Sequence, residues 1–293
     1  MLKRIFEVLK ATAVSLLLVV TTTIGFSSMM PFALLKLLLP FRPVRRVFDP
    51  IIAGIGHAWN SCNFWWMAAV GHTRWDVQGA DGFKKRGWYL VSCNHQSWVD
   101  ILVLQKVFSG RIPFLKFFIK YELIFVPLVG LAWWALDFPF MKRKGGGSAQ
   151  KDLEAARAAC EKFRVIPTSV ISFAEGTRFT QGKHDQQRSP YKHLLKPKAG
   201  GIGMALATMG DMFDAVVDVT VIYPKGVPTF TDLMTGRVPE IVVRVHEVKI
   251  PAHLLPKDGS AADRLAVQEW LNELWARKDV EIDALNAAFK RPA

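Results

Sequence analysis

The chain is 293 residues long, 51% hydrophobic and 12% aromatic, which excludes a disordered polypeptide and allows one large or two medium domains with a substantial core. Lys and Arg outnumber Asp and Glu by 38 to 25, a net charge of +13 that favours anionic lipid, acidic protein or nucleic acid without choosing among them. The three cysteines, Cys62, Cys93 and Cys160, exclude a disulfide framework and a cysteine-based zinc site, and fit a reducing compartment.

The first element is a segment from Ala11 to Leu35 without a single charge. As a helix its 25 residues would be about 37 Å long, enough for a bilayer core of about 30 Å. It has no small-residue cleavage site after a short apolar region, so the segment reads as retained. Basic residues stand on both sides, Lys3, Arg4 and Lys10 before it and Lys36, Arg42, Arg45 and Arg46 after it. A spanning helix would show basic asymmetry, so a re-entrant or in-plane anchor is favoured. Ile51 to Thr73 also lacks formal charge, but His57, Asn60, Ser61 and Asn63 would be costly against lipid. Trp59, Trp65 and Trp66 suit an interface, and the two segments together are expected to form a helical hairpin dipped into one leaflet. The alternative is a buried core helix.

After Thr73 the pattern changes to short runs rich in Val and Ile: Trp88 to Cys93, Ser169 to Phe173, Val216 to Tyr223 and Ile241 to Val248. These read as strands. Gln150 to Phe163 has helical spacing through Leu153, Ala156, Cys160 and Phe163, behind a Gly145-Gly146-Gly147 link. Ala261 to Arg277 and Val280 to Phe289 suggest a closing helical pair. The alternation implies an α/β domain over residues 71–293, with residues 1–70 as the anchor.

Asn94-His95-Gln96-Ser97-Trp98-Val99-Asp100 lies between a strand and an apolar run. On one continuous helix, residues five apart point about 140° away from each other, so His95 is expected before the helix. With Ser97 as N-cap and Asp100 at the third helical position, the loop can bring the carboxylate beneath the imidazole. Ser97-x-x-Asp100 is equally a capping box that needs no catalysis. His253 and Asp258 repeat the interval, but Pro251 and Pro256 mark that stretch as a surface loop. Phe173-Ala174-Glu175-Gly176-Thr177-Arg178 again ends a strand and turns through glycine. Arg178 offers a fork of donors suited to phosphate, and Glu175 and Thr177 can hold hydroxyls or the arginine. A P-loop is excluded, because Lys183 is followed by His184.

These two segments resemble the signature motifs of the PlsC-like glycerolipid acyltransferases. Lys120-Tyr121-Glu122-Leu123 with Pro127, Gly130 through Asp137 to Arg143, and Val219 to Pro224 are similar to further family blocks, so the resemblance covers roughly Gly71 to Pro224. Leu195 to Lys198 and Asp218 to Pro224 resemble the bacterial YihG-type branch. Ala174 stands where proline is usual and gives up a fixed φ, with little functional effect expected. The resemblance implies an α/β fold, a central mixed sheet flanked by helices, behind an N-terminal membrane-embedded helical hairpin. It implies His95 as general base with Asp100 as partner, Lys120 and Arg178 on an acceptor phosphate, and Glu175, Gly176 and Thr177 around the acceptor. Arg143 is a further candidate there, although Lys142 to Lys144 also reads as a solvated basic run.

The implied reaction carries a fatty acyl group from acyl-CoA or acyl carrier protein to the sn-2 hydroxyl of a lysophospholipid, lysophosphatidic acid first. It needs no cofactor, metal or nucleic acid. The implied location is the bacterial inner membrane, with the catalytic domain facing the cytoplasm. Two rivals remain: a thioesterase or lipase using Cys93 or Ser97, although no Gly-x-Ser-x-Gly elbow occurs, and a non-catalytic lipid-binding protein.

Overall fold

The computed structural model describes residues 2–39, 41–117, 119–138, 140–141, 163, 166–255 and 263–290. In chain order its elements are α1 (Leu2–Leu38), α2 (Arg42–Val70), β1 (Arg74–Gln78), β2 (Tyr89–Cys93), α3 (Val99–Phe108), β3 (Leu115–Phe117), β4 (Ile119–Lys120), a 3-10 turn (Tyr121–Phe125), α4 (Val129–Ala135), β5 (Phe140–Met141), β6 (Ser169–Phe173), α5 (Gln181–Gln187), α6 (Ala199–Met209), β7 (Ala215–Ile222), α7 (Phe230–Met234), β8 (Glu240–Val248) and α8 (Arg264–Lys290). The helix expected over Gln150 to Phe163 lies outside the described residues except for Phe163, as do Arg143, the Gly145 to Gly147 link and Asp258.

Two compact units divide the chain. One takes Met1–His72, Lys116–Ile166 and Thr231–Arg237, and the other takes Thr73–Leu115, Pro167–Phe230 and Val238–Ala293. The expected break after residue 70 falls at the end of α2, and two later segments join the anchor in the first unit.

Within the first unit α1 and α2 run antiparallel along their length. Near one end Lys10 Nζ donates to the Val70 carbonyl at 3.1 Å; midway Trp59 Nε1 donates to Thr22 Oγ1 at 3.2 Å; near the other end the Phe32 and Phe48 rings lie 5.7 Å apart. From Ile5 to Leu38, α1 is long and apolar enough to cross a membrane, and 6% of its 18-residue apolar window is buried. The polar residues of α2 split between faces. Asn60 and Asn63 turn inward, Asn63 Oδ1 accepts from Trp66 Nε1 at 3.1 Å, and Trp65 is exposed. Burying these amides turns them inward, but among the described residues Asn60 Oδ1 and Asn63 Nδ2 find no hydrogen-bond partner, so part of the expected cost remains. Lys36 and Arg45 differ from expectation: neither is a free basic flank. Lys36 is buried between Asp49 and Asp137, 2.6 Å from the latter, and Arg45 lies 3.6 Å from Asp137. Ala135 joins Met29, Ala33 and Ile52 in one apolar cluster, which seats α4 against the hairpin.

The second unit is built on a mixed sheet ordered β1-β8-β7-β2-β6-β3. β2 runs parallel to β6 and β7, β1 runs parallel to β8, and β7 pairs antiparallel with β8. β2 and β7 are buried at every position, as expected of strands covered on both faces. α6 packs on β2 and β6, and α8 packs on α6 and β7. A Cβ on Gly201 would lie 3.0 Å from Ser172 Oγ, so glycine lets α6 approach the sheet.

The closing helical pair is corrected to one helix, Arg264–Lys290. Lys278 and Asp279 look like a polar break, yet Lys278 is buried, donating to Val219 O at 2.7 Å and pairing with Asp218 at 3.0 Å. Asp279 accepts the backbone N–H groups of Lys192 and His193 at 2.8 and 2.7 Å. Both charges tie the helix to the domain and so need no turn between them.

Candidate active site

Parallel register places Cys93 beside Phe173 on one side and Val219 on the other, so β6, β2 and β7 end at the same edge. Carboxyl ends of parallel strands are where α/β sheets collect functional loops. The loop after β2 is fixed at once by Asn94, whose side-chain amide donates to Val221 O at 2.8 Å and accepts from Val221 N at 2.9 Å. That two-way clamp on β7 aims the next residue, His95, off the sheet edge.

α3 begins at Val99, one residue later than a Ser97 cap requires, and Asp100 stands in its first turn. Asp100 is fully buried. Its Oδ2 accepts from Gln96 N at 2.7 Å and Ser97 N at 2.9 Å and lies 2.9 Å from His95 Nδ1, and its Oδ1 accepts from the Tyr223 hydroxyl. Capping and ring orientation are therefore done by one carboxylate, and the two readings of the Ser-x-x-Asp spacing are not alternatives. The Ser97 hydroxyl is buried and donates to the Pro228 carbonyl.

The His95 ring stacks on Phe173 with centroids 4.0 Å apart and planes 16° from parallel. Among the described residues nothing hydrogen-bonds Nε2, and 12% of the side chain is exposed. With Nδ1 donating to a buried anion, the neutral ring carries its lone pair on Nε2, the arrangement of a general base.

The second loop is laced to the first. His95 N donates to Glu175 Oε1 at 3.0 Å, and Phe179 N donates to His95 O at 2.7 Å. Glu175 differs from the expected acceptor contact: it is fully buried and its other oxygen accepts from Leu195 N at 3.1 Å, so both oxygens are spent on backbone. Burial pushes its carboxyl up to about 7. The turn that presents Glu175 survives without proline, since Gly176 N still donates to Phe173 O at 2.9 Å and Gly176 takes the left-handed φ of +69°. Thr177 Oγ1 accepts from Lys183 Nζ at 2.8 Å. Arg178 is exposed, its guanidinium 4.9 Å from the centre of the Trp98 ring, and among the described residues it makes no ion pair. A cation held over an aromatic face with its donors open can receive a phosphate.

His95, Asp100, Glu175, Gly176, Thr177 and Arg178 are thus brought together on two interlocked loops. Lys120 belongs to the first compact unit, where β4 pairs in parallel with β5. Sequence reasoning missed Asn94, Tyr223 and Trp98 as parts of this arrangement, although all three sit inside the quoted motifs. Cys93 is fully buried and burial pushes its thiol well above the usual range, which leaves no thiolate for nucleophilic attack.

Residues 74–224 match the family model described as Acyltransferase. The chain is 28% identical over 215 residues to 1-acyl-sn-glycerol-3-phosphate acyltransferase 2 of Brassica oleracea, covering 69% of this chain and 53% of that one. It is 25% identical over 238 residues to 1-acyl-sn-glycerol-3-phosphate acyltransferase gamma of Mus musculus, covering 78% and 60%. The chain therefore spans less than two thirds of the length of these relatives. Its fold is similar to the crystal structure of PlsC, the 1-acyl-sn-glycerophosphate acyltransferase of Thermotoga maritima, with a TM-score of 0.52 and 21% identity over 96% of this chain and 98% of that one. With the family match covering just over half of the 293 residues and running from β1 through both loops to the end of the β7 block, the chain belongs to the acyltransferase family, and its fold is PlsC-like.

Proposed function

We propose that this protein transfers a fatty acyl group from an acyl thioester to the sn-2 hydroxyl of lysophosphatidic acid, giving phosphatidic acid. The observation that carries this reading is the 2.9 Å contact between His95 Nδ1 and buried Asp100, on a loop tied to the one that bears Arg178. The names of the relatives supply the acceptor class.

In the proposed reaction the lipid hydroxyl gives its proton to His95 Nε2 as its oxygen bonds to the thioester carbonyl carbon. Asp100 stabilises the imidazolium. As the tetrahedral adduct collapses the C–S bond breaks, and the thiolate takes the proton back from Nε2. The products are an ester and a free thiol, with no acyl-enzyme. Arg178 receives the acceptor phosphate, and Lys120 keeps its role toward that phosphate from the resemblance alone. The thioesterase and lipase reading is disfavoured by a Cys93 thiol kept neutral and a Ser97 proton spent on Pro228 O.

The α1–α2 hairpin is the membrane anchor in this reading, lying along one leaflet of the bacterial inner membrane with the catalytic domain in the cytoplasm. A leaflet orientation is supported by both ends of α1. Glu7 pairs with Arg237 at 2.8 Å near one end, and Lys36 pairs with Asp137 near the other. A spanning α1 would carry one of these extramembranous partners to the opposite side of the bilayer.

The test supplies labelled acyl-CoA or acyl carrier protein to membranes with several lysolipid acceptors. Phosphatidic acid is the expected product, lost with His95→Ala while membrane binding remains. Arg178→Ala should raise the apparent KM for lysophosphatidic acid about tenfold or more, the scale of a hydrogen bond between charged groups. Free fatty acid as product, or an active His95→Ala enzyme, would overturn the reading.

A further inference from the structure

We propose that Tyr223 is a positioning residue for the His95–Asp100 pair, its buried hydroxyl holding Asp100 Oδ1 so that Oδ2 stays turned to the imidazole. The inference rests on His95 as the base of the proposed reaction. Tyr223 follows the last residue of β7 and is 6% exposed. It reaches Asp100 from 123 positions along the chain. Oδ2 already serves His95 Nδ1, Gln96 N and Ser97 N. Oδ1 has, among the described residues, the phenol alone. Without it one oxygen of a fully buried carboxylate would lack a donor, and the carboxylate could rotate to share its oxygens differently.

The choice of a phenol has a chemical consequence. An Arg or Lys at this place would neutralise Asp100 and weaken its hold on the imidazolium. A neutral donor leaves the net charge intact and disperses only part of it, which sets how strongly Asp100 favours protonation of the ring. Burial and the facing carboxylate push the Tyr223 hydroxyl well above its ordinary value, so it remains a donor throughout the working pH range. The other ionisable groups that surround the pair are Cys93 at the end of β2, Glu175 after β6, Asp218 on β7 with Lys278 of α8, and Arg178 over Trp98. Among the described residues none of them hydrogen-bonds the Tyr223 hydroxyl, which donates to Asp100.

Tyr223→Phe keeps the ring and removes the donor. The expected result is a kcat about tenfold lower, on the scale of one hydrogen bond to a charged group, with the acceptor KM unchanged. The acid limb of the kcat profile should move to higher pH, because Oδ2, still held by Gln96 N and Ser97 N, would face the imidazole with a charge no longer shared with the phenol. The shift is on the order of one pH unit. Site-specific 3-fluorotyrosine at position 223, a stronger donor of the same shape, should move the limb the other way, which a purely structural role would not do. It also serves if Tyr223→Phe fails to fold. A limb that stays put in both variants overturns the proposal even if kcat falls. An active His95→Ala control instead removes the base assignment on which the proposal stands, so the two failures are told apart.

Discussion

In the first unit Lys36 lies between Asp49 and Asp137 with Arg45 alongside, and each buried charge faces a group of opposite sign. In the second unit Asp100 is equally buried, yet it is satisfied by two backbone N–H groups, a phenol and one imidazole nitrogen, with no permanent cation on it. The first arrangement locks two helices to the segment after α4. In the proposed reaction the second holds its negative charge for the imidazolium that forms on His95. Burial alone therefore does not separate the two clusters; the donors around each carboxylate do.

Asp100→Asn would break the second arrangement with the largest expected effect. The asparagine oxygen, in the place of Oδ2, can still accept from the loop N–H groups and face His95 Nδ1, while its amide NH2 takes the place of Oδ1 against the Tyr223 hydroxyl. The ring keeps its orientation but loses the negative charge that, in the proposed reaction, stabilises the imidazolium. A kcat loss of about 10² to 10⁴, the range for a missing general base, is expected with the acceptor KM near its starting value. Activity within a factor of a few of wild type would mean that the pair is only a cap.

Lys36→Met would break the first arrangement. It leaves two carboxylates buried with Arg45 as their nearest cation, and removing one member of a buried pair costs about 3 to 5 kcal/mol. Thermal unfolding in detergent should register this loss, while kcat of the folded fraction stays the same. A fall in kcat without a fall in stability would contradict the division drawn here between the two clusters.

Glu175→Gln gives the smallest effect and sharpens the comparison. Burial raises this carboxyl from near 4.5 to about 7, so the protonated form is favoured in the folded state. Its contribution to stability is full below pH 4.5 and is lost as pH rises through about 7. A glutamine does not titrate, so the fall in melting temperature between pH 5 and pH 8 should flatten, alongside a pH-independent cost from setting an amide NH2 against a backbone N–H. An unchanged slope would assign that titration to another group.

Several features are legible in consecutive residues. Ser169 to Phe173 is a strand with the expected bounds, and the other three expected strands differ by a residue at their ends. His95 does precede its helix, because a spacing of five cannot bring it over Asp100 on a continuous one. The missed β1 has its alternate residues Trp75 and Val77 on a half-exposed edge, too short a pattern to stand out. The inward turn of Glu175 was not legible at all, since its partners His95 N and Leu195 N lie 80 and 20 positions away.

The residues alone determined what depends on neighbours in the chain: an uncharged helix of membrane length, Val-rich strands, a glycine able to take φ of +69° after Glu175, and two loops of recognisable composition. Tertiary structure decided what depends on a distant partner. Tyr223 belongs to Asp100, Asn94 belongs to Val221, Lys278 is half of an interior ion pair, and so is Lys36, which the sequence places among the basic flanks. A lysine carries the same formal charge wherever it lies, and only the groups folded around it determine whether that charge meets water, a carboxylate or a strand carbonyl.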